Sequence, residues 1–118
     1  QGTRGTDDER DAFRHTYVAA LLVQEYGAKS RWFFEMAGNQ LELDTSLKHC
    51  PPNPRSSELD ITNNQSGLAY DPTSAERPAD YAHRLLKAGL LITSPQDAPT
   101  IGWVQDAAKA TAQKCAAR

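Results

Sequence analysis

Asp11-Ala12-Phe13-Arg14-His15-Thr16-Tyr17-Val18-Ala19-Ala20-Leu21-Leu22-Val23-Gln24-Glu25-Tyr26 is the stretch that decides the fold class. Ala12, Phe13, Tyr17, Ala20 and Leu21 recur at intervals of three and four residues, the spacing that lays apolar groups along one face of a helix. Upstream, Thr6 is expected to cap this helix, with Asp7, Asp8 and Glu9 in the first turn where the helix dipole favours negative charge, after a flexible lead-in over residues 1–5. Gly27 supplies a C-terminal stop.

The same reading extends along the chain. A second helix is expected over 29–43, carrying Trp32, Phe33, Met36, Ala37 and Leu41. Gly38 in its middle costs about 1 kcal/mol relative to alanine, which implies close packing there or an early end. His49-Cys50-Pro51-Pro52-Asn53-Pro54 is a stiff, extended loop, because proline fixes φ and lacks a donor. Ser56 or Ser57 is then expected to cap a short helix through Asp60 to about Ser66, ended by Gly67. Pro78 opens a helix with Tyr81, Leu85 and Leu86 that stops at Gly89. Residues 90–93 read as a turn or a small strand, and an alanine-rich helix covers about 103–116. Strand signals are weak and there is no internal repeat, so the expectation is all-α: one compact domain over 1–118, of about five helices with long Pro-rich loops.

Composition limits the function classes. A chain of 118 residues and 13.0 kDa makes one domain. Its net charge of -2 and pI near 5.9 give no global basic field, which argues against nucleic-acid binding by charge alone. The longest apolar runs, such as 17–23, are too short to span a bilayer. The start at Gln1-Gly2-Thr3 reads as a domain cut from a longer protein or as a mature product. Cys50 and Cys115 are the only cysteines. They have no C-x-x-C spacing, and they form either one long-range disulfide or two unpaired thiols.

Two polar stretches carry candidate chemistry. Asp11 and His15 stand four residues apart, so a helix brings the carboxylate to the imidazole, which it can orient as a proton acceptor. Arg14, on a neighbouring face, suits a phosphate or carboxylate. Alternatively, this is a solvated helix face held by pair interactions of a few tenths of a kcal/mol. Asp60, Asn63 and Asn64 place one carboxylate beside two amides. Such a set suits a Ca²⁺ or Mg²⁺ cofactor, or the polar groups of a substrate, or simply caps a helix end. A complete metal site would need Glu35, Glu42, Asp44 or Glu58 to join through the fold. His15, His49 and His83 are far apart and make no zinc motif, and there is no G-x-S-x-G elbow or Gly-rich phosphate loop. Glu35, Glu42 and Asp60 leave a two-carboxylate glycosidase open.

Three of these segments together carry a resemblance. Arg10-Asp11-Ala12-Phe13-Arg14-His15-Thr16-Tyr17-Val18-Ala19-Ala20-Leu21, the loop Pro51-Pro52-Asn53-Pro54, and Leu59-Asp60-Ile61-Thr62-Asn63-Asn64-Gln65-Ser66-Gly67 follow one another in order. In this the chain resembles an uncharacterised bacterial domain family found at the C-terminal ends of secreted and Rhs-type polymorphic toxins. That family carries R-D-A-x-R-H and M-D-L-x-N-N-x-x-G helices. The likeness covers roughly the first 70 residues. Between those helices the family has a G-(D)-x-H-E segment, whereas Gly38-Asn39-Gln40-Leu41-Glu42 keeps the glycine and the acid without the histidine.

The resemblance implies a delivered bacterial effector with an enzymatic site and a cognate immunity protein as partner. The expected function is a toxic hydrolase acting in the periplasm on a cell-envelope substrate, whether phospholipid, peptidoglycan or lipid-linked precursor. His15 would be the general base, Asp11 its orienting acid and Arg14 the anion-binding group. Asp60 would complete the catalytic set, and Asn63, Asn64 and Glu42 would bind substrate. The alternatives are a Mg²⁺-dependent nuclease, which needs a basic groove from Arg4, Arg10, Arg14, Arg31 and Arg55, and a non-catalytic binding module.

Overall fold

The computed structural model describes residues 3–117, with side chains from Asp8 onward. The helices are α1 (Thr3–Tyr26), α2 (Arg31–Asp44), α3 (Pro54–Leu68), α4 (Pro78–Lys87) and α5 (Gly102–Ala116). Single 3-10 turns at Ala28–Ser30 and Pro95–Asp97 complete the elements, and no strand occurs among the described residues. The chain is all-α, as its periodicity predicts.

The helix ends follow local chemistry, with corrections. Helix α1 is already formed at Thr3, ahead of the start expected at Thr6. The expected first-turn side chains Thr6 and Asp7, and the lead-in residues Gln1 and Gly2, lie outside the described residues. Gly27 ends α1 as expected, with φ 88° and its N–H donating to the Val23 carbonyl at 2.7 Å. Neither Ser56 nor Ser57 caps α3. Pro54 occupies the first turn and the Asn53 side chain accepts from the Ser56 N–H at 3.2 Å, so the cap comes from the loop. Gly67 does not end α3, which runs on to Leu68.

Helix α3 is the centre of the molecule, packed against α1, α2 and α5, while α4 lies along α1. One apolar cluster joins Ala19, Ala20 and Val23 of α1 to Leu68 and Tyr70, flanked by Phe34 and Tyr81. A second joins Leu47 and Ile61 to Val104 and Ala108 of α5. Burial of side chains such as Val23, Leu47 and Val104 contributes about 1.5–3 kcal/mol each. The outer face of α2 leaves Trp32, Phe33 and Met36 exposed.

Helix α5 is held by more than its small apolar face. Glu58, fully buried on α3, accepts from Arg55 at 2.8 Å, from the Ile101 N–H at 2.7 Å and from Gln105 Nε2 at 2.9 Å. It thereby satisfies a backbone donor at the start of α5. At the other end, Cys50 and Cys115 form a disulfide, with Cα atoms 5.6 Å apart. Of the two fates open to these cysteines, the bridge is the one realised.

Candidate functional site

Three helices each contribute one stripe to a shared cavity of about 450 Å³. From α1 come Asp11, His15, Val18, Ala19 and Leu22, which share a face because they recur at the helical repeat. From α2 come Phe34, Ala37, Gly38, Leu41 and Glu42, and from α3 Asn64 and Leu68. The groove is therefore apolar along Val18, Leu22, Phe34, Leu41 and Leu68, and polar at the end where His15 meets Asn64. Gly38 permits this meeting: a Cβ there would come within 3.2 Å of the Asn64 amide nitrogen.

The polar end is organised around His15. Asn64 Oδ1 lies 2.9 Å from His15 Nδ1. An amide oxygen can only accept, so Nδ1 carries the hydrogen and the lone pair of the neutral ring resides on Nε2. Nε2 faces Asp60 Oδ1 at 3.3 Å and Asp11 Oδ2 at 3.8 Å. The ring is partly exposed, so the cluster is reachable from the groove. Burial pushes the Asp60 carboxyl up to about 6, His15 pulls in the opposite direction, and the nearby Glu42 and Asp11 charges add to the rise.

Most of the residues expected at the site are here. Asp11, His15, Asp60 and Asn64 meet across α1 and α3, and Glu42 joins from α2 at the cavity wall. Glu42 is only 4% exposed, and its Oε1 has no hydrogen-bond partner. Arg14 is at the mouth, with a side chain 68% exposed, 3.5 Å from Asp11 Oδ1.

Asn63 is a correction. It is fully buried, donates to the Ile92 carbonyl at 2.8 Å and accepts from the Ile92 N–H at 2.9 Å, on a face turned away from the cluster. Its amide holds the segment expected as a turn or strand, and it is not available to substrate. The oxygen-only set of Asp60, Asn63 and Asn64 for Ca²⁺ or Mg²⁺ therefore does not assemble, since Asn64 Oδ1 is also engaged.

Other sequence candidates lie elsewhere. Glu58 belongs to the α5 anchor, Asp44 accepts from Gln40, and Glu35 accepts from Gln65 on the surface. His49 and His83 are exposed, His83 against the Phe13 ring. With both cysteines in the disulfide, no thiol nucleophile exists. Arg31 is committed to the Leu68 and Tyr70 carbonyls, and Arg55 to Glu58 and the Ala98 carbonyl, so these two do not line a basic groove. The Arg4 side chain lies outside the described residues.

Sequence reasoning missed the apolar groove itself. Val18, Leu22 and Leu41 carry the spacing of core positions, and only their distribution around the helices tells that they face a cavity rather than a packed interior. Comparison with protein-family models, with curated proteins and with solved structures returned no match.

Proposed function

We propose that this chain is a hydrolase, the toxic module of a secreted bacterial effector, and that its substrate is an amphiphile of the cell envelope. The observation that carries the reading is an imidazole whose Nε2 lies between two carboxylates, at the polar end of an apolar groove. The groove walls suit an acyl or polyprenyl chain better than a peptidoglycan strand, whose surface is polar. That narrows the envelope substrates to a phospholipid or a lipid-linked precursor. Arg14 at the mouth is placed for the phosphate of either. The disulfide favours an oxidising compartment such as the periplasm. The toxin context rests on the resemblance of the two motif helices.

With no thiol available, direct attack by water is the simplest course. Water is activated at His15 Nε2. In the metal-free cluster the imidazole acts as general base: it accepts a proton as the water oxygen bonds to the ester carbon or phosphorus. Asp60 and Asp11 stabilise the imidazolium that forms, and Asn64 keeps the ring in the required tautomer. The scissile ester bond then breaks, and the leaving oxygen takes the proton back from the ring.

Expression in the bacterial cytoplasm and in the periplasm, with wild type and His15→Ala, tests the function. The expected result is growth arrest only in the periplasm, lost in a folded His15→Ala protein, with cleaved phospholipid or lipid-linked precursor in the extract. Cytoplasmic toxicity with degraded nucleic acid supports the nuclease instead. Normal growth, or arrest that survives His15→Ala, leaves a binding module and removes the enzyme.

A further inference from the structure

We infer that His15 Nε2, Asp11 Oδ2 and Asp60 Oδ1, with Glu42 in the wall of the same cavity, form a binding site for a divalent transition-metal ion of the Zn²⁺ class. These three donor atoms lie within 4.8 Å of one another. The His15–Asp60 separation of 3.3 Å equals the edge expected between two donors on one tetrahedral Zn²⁺, about 3.3 Å for bonds near 2.0 Å. The Asp11 oxygen at 3.8 Å needs a side-chain shift of about half an ångström to reach the same distance.

Two features independent of that spacing point to a cation. Glu42 lines the same cavity, is almost wholly buried, and has an oxygen with no hydrogen-bond partner. A buried carboxylate oxygen without a donor is costly to retain, and a cation is the partner it lacks. In addition, Asn64 takes the Nδ1–H. A metal-bound histidine is held in this way, with its second nitrogen donating to a fixed acceptor so that Nε2 points at the ion. The alternative arrangement sets the lone pair of a neutral ring against two carboxylates, with a third nearby. A divalent ion lowers the formal charge of the set from -3 to -1.

The donors also select the metal. An imidazole with carboxylates suits Zn²⁺ and its neighbours, whereas Ca²⁺ and Mg²⁺ prefer oxygen alone. Bound here, the ion would polarise a water at the groove end. His15 would then be a ligand, since the lone pair that accepts a proton in the metal-free cluster holds the ion instead. The consequence for catalysis rests on the proposed hydrolase; the binding itself does not.

Calorimetric titration of chelator-stripped protein with ZnCl₂ tests the site directly. One Zn²⁺ per chain is expected, with Mg²⁺ and Ca²⁺ at least about 100-fold weaker. Asp60→Asn and His15→Ala should abolish binding, Glu42→Gln should weaken it about tenfold or more, and Asn64→Ala about 10- to 100-fold. Where a variant unfolds, wild type is read by NMR with Mn²⁺: the broadening of amide signals centres on residues 11, 15 and 60. Absent or non-stoichiometric binding overturns the inference, as does binding that survives Asp60→Asn or broadening centred on His49 or His83. If Zn²⁺ binds but no envelope lipid is cleaved, the hydrolase falls and the metal site stands. If stripped protein binds no Zn²⁺ yet cleaves lipid fully, the metal site falls alone.

Discussion

Gly67 of α3 lies so close to the backbone of Thr16 on α1 that a Cβ added to it would come within 2.2 Å of the Thr16 carbonyl oxygen and 2.6 Å of the Ala19 Cβ. This contact sets the separation of the two helices that carry the cluster. Glycine is required for its lack of side chain, since the residue is helical and no turn is involved. Gly67→Ala should therefore destabilise the fold by about 3 kcal/mol, because backbone has to move to admit the methyl. Gly102→Ala, where a Cβ meets nothing within 4 Å, should change stability little. Urea midpoints of the two variants make the comparison.

The adjacent asparagines should separate stability from activity. Asn63→Ala leaves the Ile92 N–H and carbonyl without partners and should cost about 2–3 kcal/mol, with the rate per folded molecule unchanged. Asn64→Ala should cost about 1 kcal/mol but lower the rate of the proposed hydrolysis about 10-fold or more, since the imidazole loses its orienting acceptor. Denaturant curves and a lipid-cleavage assay on the same preparations distinguish the two.

Reduction of Cys50–Cys115 opens a loop with a sequence separation of 65 and should cost about 4 kcal/mol by the chain-entropy estimate. The loss should fall first on α5, whose C-terminal turns bury little. Thermal melts with and without reductant, followed by hydrogen exchange at residues 110–116, give the size and place of the effect.

In chelator-treated protein, acid should stabilise the fold over one window. The Asp60 carboxyl stands at about 6 when folded against 3.8 as the ordinary value, so the folded state holds this proton more tightly. Its contribution is complete below about pH 4 and is lost as pH rises through about 6, with a slope of at most ~1.4 kcal/mol per pH unit. Asp71 and Glu76 run the other way. Each is held below its usual value, chiefly by hydrogen bonds, Asp71 from Thr73 and Glu76 from Arg84, so their contributions fade in stronger acid. Melting temperatures from pH 4 to 7 should rise toward acid in wild type relative to Asp60→Asn; equal profiles would remove this account of the carboxyl.

The pairing of Asp11 with His15 was legible because four-residue spacing on a helix is a local matter. The same rule put Asp60 and Asn64 on one face of α3. It also shows why Asn63 goes elsewhere: adjacent residues on a helix point about 100° apart, so one of two neighbouring asparagines had to leave the cluster. Which one depended on where α1 docks. The α3 cap was misplaced for a related reason, since serine, asparagine and proline stand close together and each is a suitable helix start.

By itself, the order of residues determined the helices, most of their ends and the side-chain pairs within each helix, because these depend on interactions three or four residues long. The tertiary structure alone decided that α1 and α3 meet at Gly67 and that Glu42 arrives from α2 with an oxygen lacking a partner. It also decided that an apolar groove stays open between the three helices. Those outcomes depend on the fit of small side chains between elements far apart in the chain. Local propensities worth a few tenths of a kcal/mol per residue carry no information about that fit.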